Sequence, residues 1–284
     1  MSDSTNRRTQ EQRKAQAEAL HASIIDQVQQ LAESGQWRRF LDFARSFHSY
    51  SLNNLLLILA QNPDATMVAG FRQWQAKGRQ VRKGETSIKI FGYSTKTTKA
   101  TDDEGSTDQE ERTMHYFPVL SVFDISQTEP VDGAQIPENP VHQLTGIHDH
   151  GALDPLTAHL EGKGWTVTRE TLTPANGYTD PHRHTVVLRR NLAPEQAAKT
   201  LIHEAAHIHL GHVDNLDEYR HHRGRIEVEA ESVAYIVAGL AGFDTSTYSI
   251  GYITGWADAN LDLVRETASR VLKTTHAIAD VIAP

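Results

Sequence analysis

The chain has no cysteine among its 284 residues. Disulfides, thiolate zinc sites and cysteine nucleophiles are therefore excluded, and the absence fits a reducing cytosol. Long apolar runs are also missing. The longest, VAYIVAGLAGF (233–243), is too short to cross a hydrocarbon layer of about 30 Å. The opening MSDSTNRRTQEQRKAQ is polar and lacks the apolar centre of a secretory signal. These features predict a soluble cytoplasmic protein with no membrane partner. A hydrophobic content of 38% fits a globular chain, and the length admits one large domain or two ordinary ones.

The net charge of −8 hides an asymmetry. Residues 1–100 carry 15 Lys+Arg against 8 Asp+Glu, whereas residues 101–284 carry 13 against 28. A basic half on an acidic chain points to a polyanion-binding module beside something different.

The periodicity of the chain supports two domains. After a polar, flexible N-terminus (1–19), Leu20, Ile24, Val28 and Leu31 recur at helical spacing, and Ser34-Gly35 ends that helix. A second helix fits 37–50, and LLLILAQ forms a short buried one that stops at Asn62-Pro63. From Arg79 the period shifts to strand alternation around a Lys83-Gly84-Glu85 turn, and HYFPVLSVFDI (115–125) is a further strand-like run. Residues 98–113, acidic and aperiodic, read as a flexible loop of a hairpin inside this domain. The Pro- and Gly-rich stretch beyond Pro130 is the best boundary, giving a first domain at 20–135, a linker at 136–150 and a second domain at 151–284. In the second domain helix 155–162, strands 165–170 and 185–190, and helices from about 194, 225–241 and 255–282 follow in order. The expected class is α+β, each domain a small antiparallel-type sheet packed with helices.

The chemistry concentrates in LIHEAAHIHLGH (201–212). His203-Glu204-Ala205-Ala206-His207 is an H-E-x-x-H sequence. On a helix, positions i and i+4 share a face, so both imidazoles can reach one metal ion. Glu204, one residue on, is placed to take a proton from water as a general base. The next long helix opens GRIEVEAESVAYIV (224–237). Its Glu227 is the expected third ligand and Glu231, one turn on, the reserve, while Glu229 points elsewhere and reads as part of a charged face. Three protein ligands with an open fourth position are the catalytic form of a Zn²⁺ site. A longer metal motif would need Gly at 210 and His at 213, where Leu210 and Val213 stand, so His212 reads as a polar residue near the helix end. His209 lies off the metal face. His221 and His222 are candidates to line the cleft, and His182 and His184 read as surface residues.

These residues resemble the metallopeptidase fold of the ImmA/IrrE kind, in which an H-E-x-x-H helix is followed by an E-x-x-A helix. Glu227-Val228-Glu229-Ala230 takes that second place, and the resemblance favours Glu227 over Glu231. The first half is similar to the N-terminal domain of ArdC-type antirestriction proteins over FHSYSLNNLLLILAQNPDATMVAGFRQWQAKGRQVRKGETSIKIFGY (47–93) and FPVLSVFDISQTEP (117–130), and the ending from YSIGYITGWADANLDLVRE onward is similar too. One departure is that IHLGH follows His207, a residue longer than the family's W-T-G-H. The resemblance implies a zincin-like second domain, a first domain that binds single-stranded DNA, and a link to mobile elements such as conjugative plasmids that evade host restriction.

Read from its residues alone, the first domain interleaves cations with aromatics, which is what sequence-tolerant single-strand binding requires. The candidate DNA-binding residues are Arg72, Trp74, Arg79, Arg82, Lys83 and Lys89. The expected function is therefore an antirestriction-type protein that binds single-stranded DNA and carries a zinc metallopeptidase site of His203, His207, Glu227 and Glu204. Its further partner would be a host restriction enzyme or another protein substrate. The alternative is a non-enzymatic DNA-coating or restriction-blocking protein in which zinc is only structural. Tyr248, Tyr252 and the loop histidines His221 and His222 are candidate oxyanion stabilisers for the enzymatic reading.

Overall fold

A computed structural model describes residues 9–33, 35–47, 50–99, 111–131, 149–214, 216–245 and 260–282. The acidic loop between 100 and 110, most of the 136–150 linker and both Tyr248 and Tyr252 lie outside these residues. The chain divides into two compact units, one from Met1–Asp26 with Leu56–Pro137, the other from Gln27–Leu55 with Glu138–Pro284. The division falls inside two helices, α1 (Gln10–Leu31) and α3 (Leu52–Gln61). The stretch 27–55, which periodicity alone groups with the first half, thus packs in the second unit.

In the first unit β1 (Val68–Gly70) runs straight into the short helix α4 (Phe71–Ala76), which is followed by β2 (Arg79–Val81) and β3 (Ile88–Phe91). A hairpin of β4 (Ser94–Lys99) and β5 (Glu111–Tyr116) precedes β6 (Val119–Asp124) and β7 (Thr128–Pro130). The main sheet has the order β1-β6-β3 and is antiparallel throughout. The turn at Lys83-Gly84-Glu85 does not close a hairpin. Its flanks go to different partners, β2 to β7 and β3 to β6. The core beside β2 is built on Trp74, fully buried with Ala69 and Val81 and flanked by Met67, Phe123 and Ile125. Its indole Nε1 donates to the Phe123 carbonyl at 2.8 Å, so the buried N–H is satisfied. Buried Asp124 accepts from the backbone N–H groups of Thr66, Met67 and Ser126 at 2.9, 3.0 and 2.9 Å, tying the end of β6 to the approach of β1.

The second unit holds α2 (Gln36–Ala44), α5 (Leu153–Gly162), β8 (Thr166–Glu170), β9 (Gly177–Asp180), β10 (Thr185–Arg189), α6 (Pro194–His209), α7 (Leu216–Leu240) and α8 (Leu261–Ile282). Its sheet runs β8-β10-β9, and here the antiparallel expectation holds for only one pair. β10 is antiparallel to β9 but parallel to β8. As the central strand β10 is covered on both faces, which is why Val186, Val187 and Leu188 form an unbroken buried apolar run rather than an alternating one. α7 is kinked at His222, whose φ of −119° is not helical. α2 braces α7: Trp37 Nε1 donates to Ser232 Oγ at 2.9 Å, the guanidiniums of Arg38 and Arg45 lie 5.1 and 5.6 Å from the Tyr235 ring, and the Tyr235 hydroxyl donates to Asp42.

Replacing Trp74 by Ala removes the largest buried side chain of the first unit and leaves the Phe123 carbonyl without its donor. A loss of about 3–5 kcal/mol is expected, read as a lowered midpoint in urea unfolding. An unchanged midpoint would mean that the ring is not packed as described.

Candidate metal centre and candidate DNA surface

The α6 helix begins at Pro194, whose missing N–H costs nothing in the first turn, and Glu195 in that turn complements the helix dipole. Leu201, Ile202, Ala205 and Ala206 are fully buried. Their packing turns His203, Glu204 and His207 together toward α7 and β9. His203 Nε2 and His207 Nε2 lie 3.1 Å apart, and Glu227 Oε2 on α7 is 3.7 Å from the first and 3.8 Å from the second. Among the described residues these three are the group of histidine and acidic side chains whose ligand atoms converge, all within 4.8 Å of one another. Tetrahedral ligands at about 2.0–2.1 Å from Zn²⁺ would be separated by roughly 3.3–3.4 Å, so the donor types and spacing fit such an ion.

Glu231, the reserve ligand, faces the opposite side of the first imidazole, with Oε2 3.1 Å from His203 Nδ1. Glu204 is buried and accepts a 2.8 Å hydrogen bond from Thr179 Oγ1 on β9. That strand comes close because Gly177 has no side chain. A Cβ there would lie 2.7 Å from Thr200 Cγ2 of α6 and 2.9 Å from the Val187 carbonyl. A cleft of about 400 Å³ opens onto His203, Glu204, His207 and Glu227, with Tyr178, Thr179 and Arg223 on its walls. A second hollow of about 340 Å³ adjoins His203 and Glu204 from the side of Lys199 and Glu231.

Burial lowers the affinity of His203 for a proton, but hydrogen bonds to Glu227 and Glu231 outweigh it and push the pKa up to about 10. Burial, reinforced by the neighbouring charge of His203, pulls His207 down to about 3. Burial raises the Glu204 carboxyl above its ordinary value, opposed by the charge of His203 and the Thr179 hydrogen bond. Without an ion the two imidazoles thus hold one extra proton between them, on His203.

His212 and Glu229 are the residues that sequence reasoning undervalued. Both are buried, and His212 Nε2 lies 2.9 Å from Glu229 Oε2, while His212 Nδ1 lies 3.0 Å from His207 Nδ1. The signal was present in Gly211, which has φ +72° and ends α6. The His212 N–H bonds back to the His207 carbonyl at 3.0 Å, the closure that lays the residue after such a glycine against the side chain five positions earlier. His209 stacks on His159 of α5, away from the cleft, with Nε2 atoms 3.1 Å apart. Burial, with smaller contributions from Lys163 and His159, holds His209 down at about 4. His182 and His184 are exposed, as is His222, and the side chain of His221 lies outside the described residues.

In the first unit the candidate DNA residues separate. Trp74 is fully buried and cannot stack on a base. Arg79 is also withdrawn: it is buried, with Nε donating to Thr128 Oγ1 at 2.7 Å and Nη2 to the Thr128 carbonyl at 3.3 Å, because β2 is held against β7. Arg82 and Lys83 are exposed, and Arg82 pairs with Glu85 at 2.7 Å. Arg72 is exposed, and half-buried Lys89 donates to Ser121 Oγ at 2.7 Å. Aromatics that the sequence reading passed over are exposed instead. Tyr93 and Phe117 are 66% and 63% accessible, with ring centroids 5.9 Å apart, and His115 stacks on Tyr93 at 5.6 Å.

Two families match this chain in order. Residues 14–123 match the N-terminal domain of anti-restriction factor ArdC, and residues 160–238 match the IrrE N-terminal-like domain of the M78 peptidases. The chain is thus ArdC-like, a mixed helix-and-sheet protein of two domains. An uncharacterized protein of Bacillus anthracis is 26% identical over an alignment that takes in 94% of this chain and 52% of the relative, so the chain spans about half the length of that curated relative. The crystal structure of the antirestriction ArdC protein from the R388 plasmid in metal-free form has a TM-score of 0.48 at 21% identity, covering 82% of this chain and 84% of that one. Its Mn(II)-bound form has a TM-score of 0.46 at 20% identity, covering 81% and 88%. Among the described residues no helix is long and apolar enough to cross a membrane.

Since protonated His203 cannot ligate, metal uptake must displace its proton. Apparent affinity should therefore rise with pH, by roughly tenfold per unit below a pKa of about 10, with close to one proton released per ion. Calorimetry in buffers of differing ionisation enthalpy counts that proton. Uptake without proton release would contradict the assignment.

Proposed function

We propose that this chain is an antirestriction-type protein whose first unit binds single-stranded DNA and whose second unit hydrolyses peptide bonds at a zinc site. The observation that carries the hydrolytic reading is the placing of buried Glu204 beside three converging ligand atoms, in a cleft bordered by β9. Among the described residues β9 pairs only with β10. Its outer edge can thus receive an extended peptide by backbone pairing, which would draw a scissile bond along the cleft.

His203, His207 and Glu227 would hold Zn²⁺, which supplies Lewis-acid polarisation of an oxygen when bound. Glu204 would take the proton from the attacking water and pass it to the leaving amine. Its raised pKa, caused by burial, suits a group that must gain and then give up a proton. Thr179 holds one carboxylate oxygen by its 2.8 Å hydrogen bond, which fixes the direction in which the other presents. Arg223, on the cleft wall, is the cation placed to meet a developing oxyanion. Binding of single-stranded DNA would rest on the exposed cations Arg72, Arg82 and Lys83 for phosphates and on Tyr93 and Phe117 for bases. Lys89 would add to it only by leaving its serine partners.

The substitution Glu204→Gln should lower cleavage of unfolded casein by roughly 10²–10⁴-fold with zinc content unchanged. Full activity in that variant would sink the general-base role. A wild-type protein that binds zinc yet cleaves nothing would instead favour a structural ion in a DNA-coating protein.

Replacing Tyr93 and Phe117 by Ala should each weaken binding to a labelled oligo(dT) by about 1–3 kcal/mol, measured by fluorescence anisotropy. Replacing Arg82 and Lys83 should flatten the dependence of affinity on salt, by about 0.7 in the log–log slope for each phosphate that is no longer neutralised. Unaltered affinity in all four variants would place the DNA elsewhere or nowhere on this unit.

A further inference from the structure

We infer that Glu229 and His212 form a relay that fixes the ring tautomer and orientation of His207, so that a carboxylate two hydrogen bonds away positions a metal ligand. The inference rests on the assignment of His207 as a ligand. Glu229 is 1% exposed and fully engaged. Oε2 lies 2.9 Å from His212 Nε2, Oε1 accepts from Thr267 Oγ1 of α8 at 3.1 Å, and Arg270 Nη2 of α8 stands 3.6 Å from Oε2. Arg225, one turn earlier on α7, has its Nε 3.9 Å from Oε1.

The proton positions then follow in sequence. To serve as a ligand through Nε2, the atom directed at His203 Nε2 and Glu227 Oε2, His207 must keep its hydrogen on Nδ1. That hydrogen points at His212 Nδ1, 3.0 Å away, which accepts it. His212 then carries its own hydrogen on Nε2, where Glu229 Oε2 accepts it at 2.9 Å. The first ligand is held more directly, by Glu231 Oε2 at 3.1 Å from His203 Nδ1. The three glutamates at 227, 229 and 231 therefore have separate tasks: one converges with the imidazoles, one orients His207 through His212 and one orients His203.

The geometry that makes the relay possible is the end of α6. Gly211, at φ +72°, reverses the chain so that His212 lies against His207, where the corresponding packing is more often apolar. Arg270, besides standing by Glu229, donates to the Leu210 carbonyl at 2.7 Å and so ties the same helix end to α8.

The test is zinc affinity by chelator competition in the full-length protein, compared with the unfolding midpoint of the same samples stripped of metal. Glu229→Gln and His212→Leu should each weaken zinc binding by about 10–100-fold, and the double variant should be no weaker than the poorer single one, because the two groups act in series. Leucine at 212 keeps the packing at the helix end, and stripped His212→Leu should remain folded by circular dichroism. Should Glu229→Gln fail to fold, Thr267→Val removes one hydrogen bond from the same carboxylate without changing charge, and should weaken zinc several-fold. Folded variants with wild-type affinity, or losses that multiply in the double variant, would overturn the relay while leaving the ligand set standing. Zinc binding by the wild-type that ignores His207→Ala would overturn the ligand assignment, and the relay with it.

Discussion

The second unit depends on the close packing of α6 against α7. Two helices can place short, rigid ligands such as imidazole within reach of a carboxylate on the neighbouring helix only if their axes approach closely, and small residues set that limit. Ala206 on α6, beside the His203–His207 face, and Ala230 and Ala234 on α7, on the face of Glu227, are fully buried. Larger residues at these places would part the helices and open the gap between Glu227 and the two Nε2 atoms. The other flank of α7 cannot yield, since Trp37, Arg38 and Arg45 of α2 grip it at Ser232 and Tyr235. Gly239 belongs to the same arrangement: a Cβ there would occupy the space of the Arg45 guanidinium.

Packing helices this closely brings four carboxyl groups, Glu204, Glu227, Glu229 and Glu231, around three histidines. Like charges so near one another are tolerated because their surroundings differ. Glu229 has arginines and a threonine, and stays ionised. Glu204 has a single hydroxyl and a buried setting, and its proton affinity rises. Glu227 and Glu231 flank His203, and their combined effect keeps that ring charged in the absence of an ion. Identical side chains acquire distinct acid–base characters from environment alone, the arrangement that separates roles at catalytic sites.

Much of this could be read in the sequence, for identifiable reasons. The i, i+4 spacing of His203 and His207 and the single-residue offset of Glu204 are properties of any helix, so they survive without knowledge of the tertiary fold. Convergence of Glu227 required only that a turn return the next helix to the first. His212 and Glu229 escaped because their importance lies in contacts across elements. A histidine after a glycine at a helix end looks solvated until the left-handed turn is seen to fold it inward, and Glu229 looks like a surface charge until α8 covers it. The sheet details failed for a related cause. Alternation marks β2 and β3 as strands, and an unbroken β-branched run marks β10, but neither pattern says which strand each will meet, so neither the separate partners of β2 and β3 nor the parallel pairing of β8 with β10 is visible in the sequence.

Charge counting over the first half of the chain overstates how many cations face solvent, for a reason that bears on how it would hold DNA. Basic residues were summed along the sequence, yet cations are also structural donors. Arg38 and Arg45 belong to the second unit and serve Tyr235. Arg79 is spent on Thr128, and Lys89 on Ser121. Of the residues singled out, Arg72, Arg82 and Lys83 remain at the surface, and Arg82 is partly offset by Glu85. Each of these exposed cations that meets a phosphate would add to counterion release. The exposed rings of Tyr93 and Phe117 offer a contribution of their own, since each stacked base is worth about 1–3 kcal/mol whatever its identity. Binding built on this face would be tolerant of sequence through its stacked bases, with the exposed cations setting its dependence on salt.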